Sequence, residues 1–151
     1  MKAILYSALL IFCTQAAIAQ LADPVRWNYS AKKIADKTYE VHVTANIQPN
    51  WHLYSQQQPE DAIAIPTSIR FNKNPLVVLN GAIKEVGKME LFKDEKLKLS
   101  ANQYAGKVDF VQVVKLKAGT KTNITGSVEY QTCDDKKCLP PKTVNFTVAL
   151  N

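Results

Sequence analysis

Histidine and glycine are the scarce residues of this chain: His42 and His52 are its two histidines, and only five of its 151 residues are glycine. A phosphate-cradling loop needs clustered glycines so that backbone N–H groups can approach the anion. A Ser-His-Asp set or a metal cluster needs histidines beside partners that the sequence does not bring near them. Arginine-rich or aromatic-interleaved stripes are absent as well. The net charge of +6 therefore comes from lysines scattered along strands and loops, which describes a solvated surface and argues against a nucleic-acid partner. Helical periodicity is almost missing, and only one long apolar run occurs, at the N-terminus.

That run begins after Met1-Lys2 and extends from Ala3 to Cys13. It is too short to span a bilayer and is followed by Ala17-Ile18-Ala19, a small-x-small cleavage site before Gln20. The pattern predicts a cleaved signal peptide over residues 1–19 and a single exported domain over residues 20–151. A lipoprotein is not expected, because Phe12 stands where a small residue would precede an acylated Cys13. Losing residues 1–19 removes Cys13 and Lys2, which leaves 132 residues, two cysteines and a charge of +5. A chain of that length buries one core without needing a disulfide or a metal to hold it.

The rest of the sequence alternates with period two. Trp27 and Tyr29 open one strand; Tyr39, Val41, Val43 and Ala45 share one face of the next, with Glu40, His42 and Thr44 on the other. Pro49-Asn50 turns the chain into Trp51-His52-Leu53-Tyr54. Further strands are expected at Ser68 to Phe71, Leu76 to Leu79, Val108 to Leu116, Asn123 to Tyr130 and Thr143 to Leu150. Pro66, Asn74-Pro75, Asn80-Gly81, Gly106, Ala118-Gly119 and Pro140-Pro141 are the expected breaks. Some seven short strands at hairpin spacing predict an all-β, two-sheet antiparallel sandwich. Lys88 to Tyr104 breaks the rhythm: it is charged, has neither glycine nor proline between its ends, and is expected as a short helix or a long loop.

One pair of residues carries reactive chemistry. Cys133 and Cys138 are five apart, in Tyr130-Gln131-Thr132-Cys133-Asp134-Asp135-Lys136-Lys137-Cys138-Leu139-Pro140-Pro141. In an exported protein such a pair is usually a disulfide. Closing so small a loop restricts the unfolded chain little and stabilises by about 2 kcal/mol at most. Spacing alone leaves two readings open, a hairpin-tip staple and an exchange site. Zinc would require four ligands where two are at hand. Lys136 and Lys137 support a thiolate, and Asp134 and Asp135 oppose it.

The cysteine motif, Tyr-Gln-x-Cys, a short polar loop, then Cys-x-Pro-Pro, resembles that of the N-terminal periplasmic domains of the thiol:disulfide interchange protein DsbD. Trp51-His52-Leu53-Tyr54-Ser55-Gln56 is similar to that family's aromatic segment, and Asp94-Glu95 to the acidic pair that opens its cap loop. The resemblance runs from about Trp27 to Leu150. It implies an immunoglobulin-like antiparallel β-sandwich with the cysteine pair at one end under a cap loop. Electrons would pass between thioredoxin-fold proteins through a redox-active Cys133–Cys138 disulfide, with no other cofactor. Cys138 would form the mixed disulfide and Cys133 would resolve it, while His52, Tyr54, Asp94 and Glu95 would line or flank the pair. His52, whose unperturbed pKa lies nearest working pH, is the residue suited to manage a proton.

The sequence departs from the family at three points. Four residues separate the cysteines where better-known members have five. Lys96 follows the Asp-Glu step in place of the capping phenylalanine, so Phe92 or Leu97 would have to serve. The sequence carries neither the membrane domain nor the thioredoxin-like domain, so a stand-alone, periplasmic domain fed by a membrane electron donor is expected. The competing expectation is a non-catalytic secreted β-sandwich, a binding or accessory module whose hairpin disulfide is structural.

Overall fold

The computed structural model describes residues 23–96 and 98–151. The expected signal peptide, with Cys13, and Leu97 lie outside the described residues. Nine strands and no helix are found among the described residues: β1 (Val25–Ala35), β2 (Thr38–Ile47), β3 (His52–Tyr54), β4 (Ser68–Phe71), β5 (Val77–Asp94), β6 (Leu99–Leu116), β7 (Thr122–Tyr130), β8 (Thr132–Cys133) and β9 (Lys142–Leu150). All pairings are antiparallel. One sheet runs β1-β2-β6-β3-β8, with β5 on the free side of β6, and the other runs β4-β7-β9. The protein is an immunoglobulin-like antiparallel β-sandwich.

Period-two patterning is what builds it. The expected inward face of β2 is buried residue by residue, and its polar face, Glu40, His42 and Thr44, is turned out. On the outer face His42 Nδ1 lies 2.7 Å from Asp109 Oδ2, and Thr44 Oγ1 donates to Asp109 Oδ1 at 2.9 Å, so the polar side of the sheet is cross-linked between strands. The core joins Val41, Val43, Val108, Phe110 and Val114 of the first sheet to Ile124, Val128, Phe146 and Leu150 of the second. Trp27 stands edge-on to Tyr130 with ring centroids 5.2 Å apart, and Tyr29 stacks on Phe146 at 5.1 Å. These aromatics clamp the β1 edge onto the second sheet.

The segment Lys88 to Tyr104 is neither helix nor loop. It forms the outer end of the long β5–β6 hairpin, paired from Met89↔Tyr104 to Asp94↔Leu99. Its strand signature is hidden because β5 is an edge strand exposed on both faces, so no alternation of buried and exposed residues is imposed on its sequence. Two expected breaks are likewise irregularities within strands. Asn80-Gly81 begins a bulge in β5, and Gly106, with φ +71°, lies in a bulge of β6 opposite Lys88. A glycine accepts that left-handed backbone without steric cost.

Candidate functional site

The cysteine hairpin exists because the chain changes sheets. β7 ends at Tyr130 in the second sheet; one residue later β8 pairs with β3 in the first, and Pro140-Pro141 then leads into β9 back in the second. The excursion turns at its tip. Thr132 C=O accepts from Leu139 N–H at 2.9 Å and Lys137 C=O accepts from Asp134 N–H at 2.9 Å, which frames the Cys133↔Cys138 bridge. The two Cα atoms are 4.0 Å apart and the pair is a disulfide. Its partners differ in access: Cys133 is 5% exposed, whereas Cys138 lies on the exposed side of the loop.

Register collects the remaining candidates. Leu53, Thr132 and Tyr104 are buried in neighbouring positions of β3, β8 and β6, with Leu53 and Tyr104 in the main core. The alternate residues therefore lie on the opposite face of the sheet, away from the main core: His52 opposite Cys133, Tyr54 opposite Gln103, Ala101 opposite Phe92, and Leu99 opposite Asp94. Together they form the floor and one wall of a groove of about 870 Å³, closed on other sides by Ile63, Ala64, Gln131 and the loop from Asp134 to Cys138. The structure thus brings His52, Tyr54, Phe92 and Asp94 to one groove with both cysteines. Glu95 sits in the exposed hairpin turn beside Asp94 and is not among the lining residues. Trp51 packs against the main core instead.

The wall made by residues 55–66 is held by side chains. Gln58 Nε2 donates to the carbonyls of Ser55 (2.9 Å) and Asn102 (2.8 Å), and Gln58 Oε1 accepts from Asn102 N–H at 3.0 Å. Ser100 Oγ donates to Asp61 Oδ1 at 2.6 Å, and Thr67 Oγ1 to the Tyr54 carbonyl at 2.6 Å. Glu85 accepts from Ser55 Oγ, Gln56 N–H and Tyr104 OH, all within 2.6–2.7 Å. Gln131 ties this wall to the cysteine hairpin: its Nε2 donates to the Leu139 carbonyl at 3.1 Å and its Oε1 accepts from Ile65 N–H at 3.3 Å.

Gln131 is visible in the sequence only as part of the cysteine motif, and no motif there points to Ile63, Ala64 or Gln103. Residues 55–66 have no period, and only the tertiary fold sets them beside β6. Gln103 carries one readable signal, a strand position facing the aromatic segment, which becomes visible once β6 is known to extend back to Leu99.

Electrostatics at the loop are balanced. Asp134 Oδ1 accepts from the backbone N–H groups of Lys136 (2.8 Å) and Lys137 (2.7 Å), and these bonds hold its carboxyl below the usual 3.8. Asp134 is thus an ionised turn-former whose charge offsets one of the two lysines. Burial raises the Tyr54 hydroxyl above its usual 10.0, so it stays protonated on the groove floor. Among the described residues no group of three or more His, Cys, Asp or Glu side chains is arranged to hold a metal ion. What the arrangement offers chemically is one disulfide between a buried and an exposed cysteine, in the lining of a largely apolar groove.

Comparison with known proteins agrees with this geometry. The family described as thiol:disulfide interchange protein DsbD, N-terminal, matches residues 19–150. No curated protein matches the chain by sequence. Among solved structures, the reduced N-terminal domain of DsbD from Neisseria meningitidis is 16% identical, with 85% of this chain and 86% of that one covered and a TM-score of 0.56. The complex of the DsbD and PilB N-terminal domains from the same organism gives 16% identity, coverage of 85% and 87%, and a TM-score of 0.50. The N-terminal periplasmic domain of ScsB from Proteus mirabilis gives 15% identity, coverage of 83% and 44%, and a TM-score of 0.50. At these identities the likeness shows a shared fold.

Proposed function

The chain belongs to the family of N-terminal domains of the thiol:disulfide interchange protein DsbD, and on that premise we propose that it passes electrons between periplasmic thioredoxin-fold proteins through Cys133 and Cys138. The observation that carries this reading is the unequal exposure of the two cysteines. An incoming thiolate needs access to one sulfur only, and a leaving thiol is best retained where it can return. Cys138 is accessible, and Cys133 is packed beside Tyr54 and Ala101.

In the reducing direction the Cys138 thiolate attacks a sulfur of the partner's disulfide. A Cys138–partner bond forms, the partner's S–S bond breaks, and the partner's second sulfur leaves as a thiolate and takes up a proton. Cys133, deprotonated, then attacks Cys138. The Cys133–Cys138 bond forms, the mixed disulfide breaks, and the partner departs with two thiols. Two electrons leave this domain, and a reduced donor, supplied at the membrane, returns them by the reverse sequence. His52, opposite Cys133 in register, would take and return the Cys133 proton. Tyr54, Phe92 and Asp94 shape the groove that admits the partner's active-site loop. The complex of a related DsbD domain with PilB supports a protein partner of this kind. Export through the leader at residues 1–19 would place the domain in the periplasm, the compartment named for the related ScsB domain.

Two measurements test the proposal. Equilibration of the oxidised domain with glutathione should give a dithiol fraction that titrates within the range of exchange proteins, above about −300 mV. A Cys133→Ser variant should then accumulate a mixed disulfide through Cys138 with a thioredoxin-fold protein, in periplasmic extract or with a purified donor. A pair that resists reduced thioredoxin-like donors, with no adduct in the trapping variant, would reassign the bridge as the structural disulfide of a binding module.

A further inference from the structure

β5 is an edge strand, and along residues 84–94 its far side pairs with no strand among the described residues. It is also apolar for an edge: Val86 is 59% exposed, Met89 51%, Leu91 53% and Phe92 48%. Four exposed large hydrophobics within seven residues on an unpaired edge form the type of surface that recruits another strand. The strand stays regular here, because the bulge at residues 81–83 lies before this stretch and the irregularity opposite Lys88 belongs to β6.

The charges say which strand fits. Residues 84–94 hold three lysines and three carboxylates in a chain whose net charge is +6, so this strip is neutral where the whole molecule repels a second copy. Laid antiparallel on itself about a twofold axis at Met89, the segment places Lys88 opposite Glu90, Lys84 opposite Asp94 and Glu85 opposite Lys93. The apolar residues also pair, with Val86 opposite Phe92, Gly87 opposite Leu91 and Met89 opposite itself. A twofold moved by one residue sets Lys88 against Lys88 or Glu90 against Glu90. Like charges directly opposite are destabilising, so these side chains select one register and disfavour its neighbours.

We infer that β5 is a homodimer interface: two copies join edge to edge, antiparallel and centred on Met89, into one continuous sheet. Residues directly opposite across such a pair project from the same face. Lys84, Val86, Lys88, Glu90, Phe92 and Asp94 share the face on which Phe92 and Asp94 line the disulfide groove. The two grooves of the dimer therefore open on the same side, and Val86 of the second copy extends the wall that Phe92 begins. Glu85 is engaged within its own copy by Ser55, Gln56 and Tyr104, and Lys88 Nζ lies 3.6 Å from Glu90 Oε1 of its own copy, so the centre of the interface is a cluster of four charges in which each Lys88 meets both Glu90 carboxylates. The inference is independent of the redox reading, since it uses neither cysteine.

Charge exchange tests it. In sedimentation equilibrium on the oxidised full chain, from about 1 μM to about 1 mM, the wild type should shift from one to two chain masses. Lys88→Glu and Glu90→Lys, each checked for native circular dichroism, should each weaken the dimer at least about tenfold, since both symmetry-related pairs become like-charged. The Lys88→Glu/Glu90→Lys double variant should regain it. An equimolar mixture of the two single variants should also regain it, as a heterodimer with every pair complementary. A wild type that keeps one chain mass throughout overturns the inference. So do single variants that dimerise like the wild type, or a double variant and a mixture that both stay monomeric.

Discussion

Asp134 holds the tip of the cysteine hairpin with one oxygen. Its Oδ1 accepts from two successive backbone N–H groups, 2.8 and 2.7 Å away, and in doing so fixes the turn that sets Cys138 opposite Cys133. Those bonds favour the ionised form and hold the carboxyl below 3.8. A depressed folded-state value means that the contribution is fully present above the unfolded value and is lost as pH falls through the folded one. Asp134→Ala should loosen the loop at neutral pH and shift the disulfide–dithiol equilibrium toward the dithiol by between about twofold and tenfold, since the turn no longer presents the two sulfurs to each other. Asp134→Asn, whose amide oxygen still accepts, should keep the turn but lose its response to acid. Amide shifts of Lys136 and Lys137 followed downward from neutral pH check both: the wild type should move below pH 3.8, and the asparagine variant should not. A flat wild-type titration would remove Asp134 from this role.

Among the elements, those buried on one face were legible in the sequence. β2, β7 and β9 alternate because one face of each meets the core, so their apolar residues recur every second position. The outer part of β5 was not legible, because neither of its faces is buried and nothing in the core constrains its sequence. The same distinction divides the site. His52, Tyr54 and the cysteines are readable as motifs on strands, whereas residues 55–66 reach the groove through hydrogen bonds to Asn102 and Ser100, partners more than thirty residues away that no local pattern announces. One strand residue is readable only from its neighbours. Gly126, in the middle of β7, lies between Phe71 and Phe146 in register, and a Cβ there would fall 2.4 Å from the Arg70 carbonyl oxygen and 2.5 Å from the Phe146 ring. Gly126→Ala should therefore cost about 1–3 kcal/mol through overpacking, seen as a lower urea midpoint with an unchanged slope. Since none of these residues lines the groove, the disulfide's equilibrium with glutathione should remain that of the wild type.

At the scale of the whole molecule, Tyr130 marks the place where the second sheet hands the chain to the cysteine hairpin. Its ring meets Trp27 edge-on at 5.2 Å. Its hydroxyl donates to Asp23 Oδ1 at 3.1 Å, and Asp23 in turn pairs with Lys142 at the start of β9. Burial first, and the Asp23 carboxylate after it, push the hydroxyl from 10.0 up to about 12; Tyr104, beside Glu85, moves in the same direction. A raised folded-state value means that the contribution is intact below the unfolded value and disappears as pH rises through the folded one. Between pH 10 and about 12 the unfolded chain ionises Tyr130 while the folded chain keeps it neutral. Halfway through, near pH 11, this removes about 1 kcal/mol once screening by solvent is allowed for. Tyr130→Phe forgoes the hydrogen bond, about 1 kcal/mol near pH 7, but has no proton to lose. Its deficit should therefore shrink as pH rises and vanish or reverse near pH 11. Paired urea unfolding curves of the wild type and the variant at the two pH values check this, and the difference between them cancels titration of the lysines common to both. A deficit that stays constant would mean that alkaline weakening of the sandwich arises elsewhere than at the junction of sheet and hairpin.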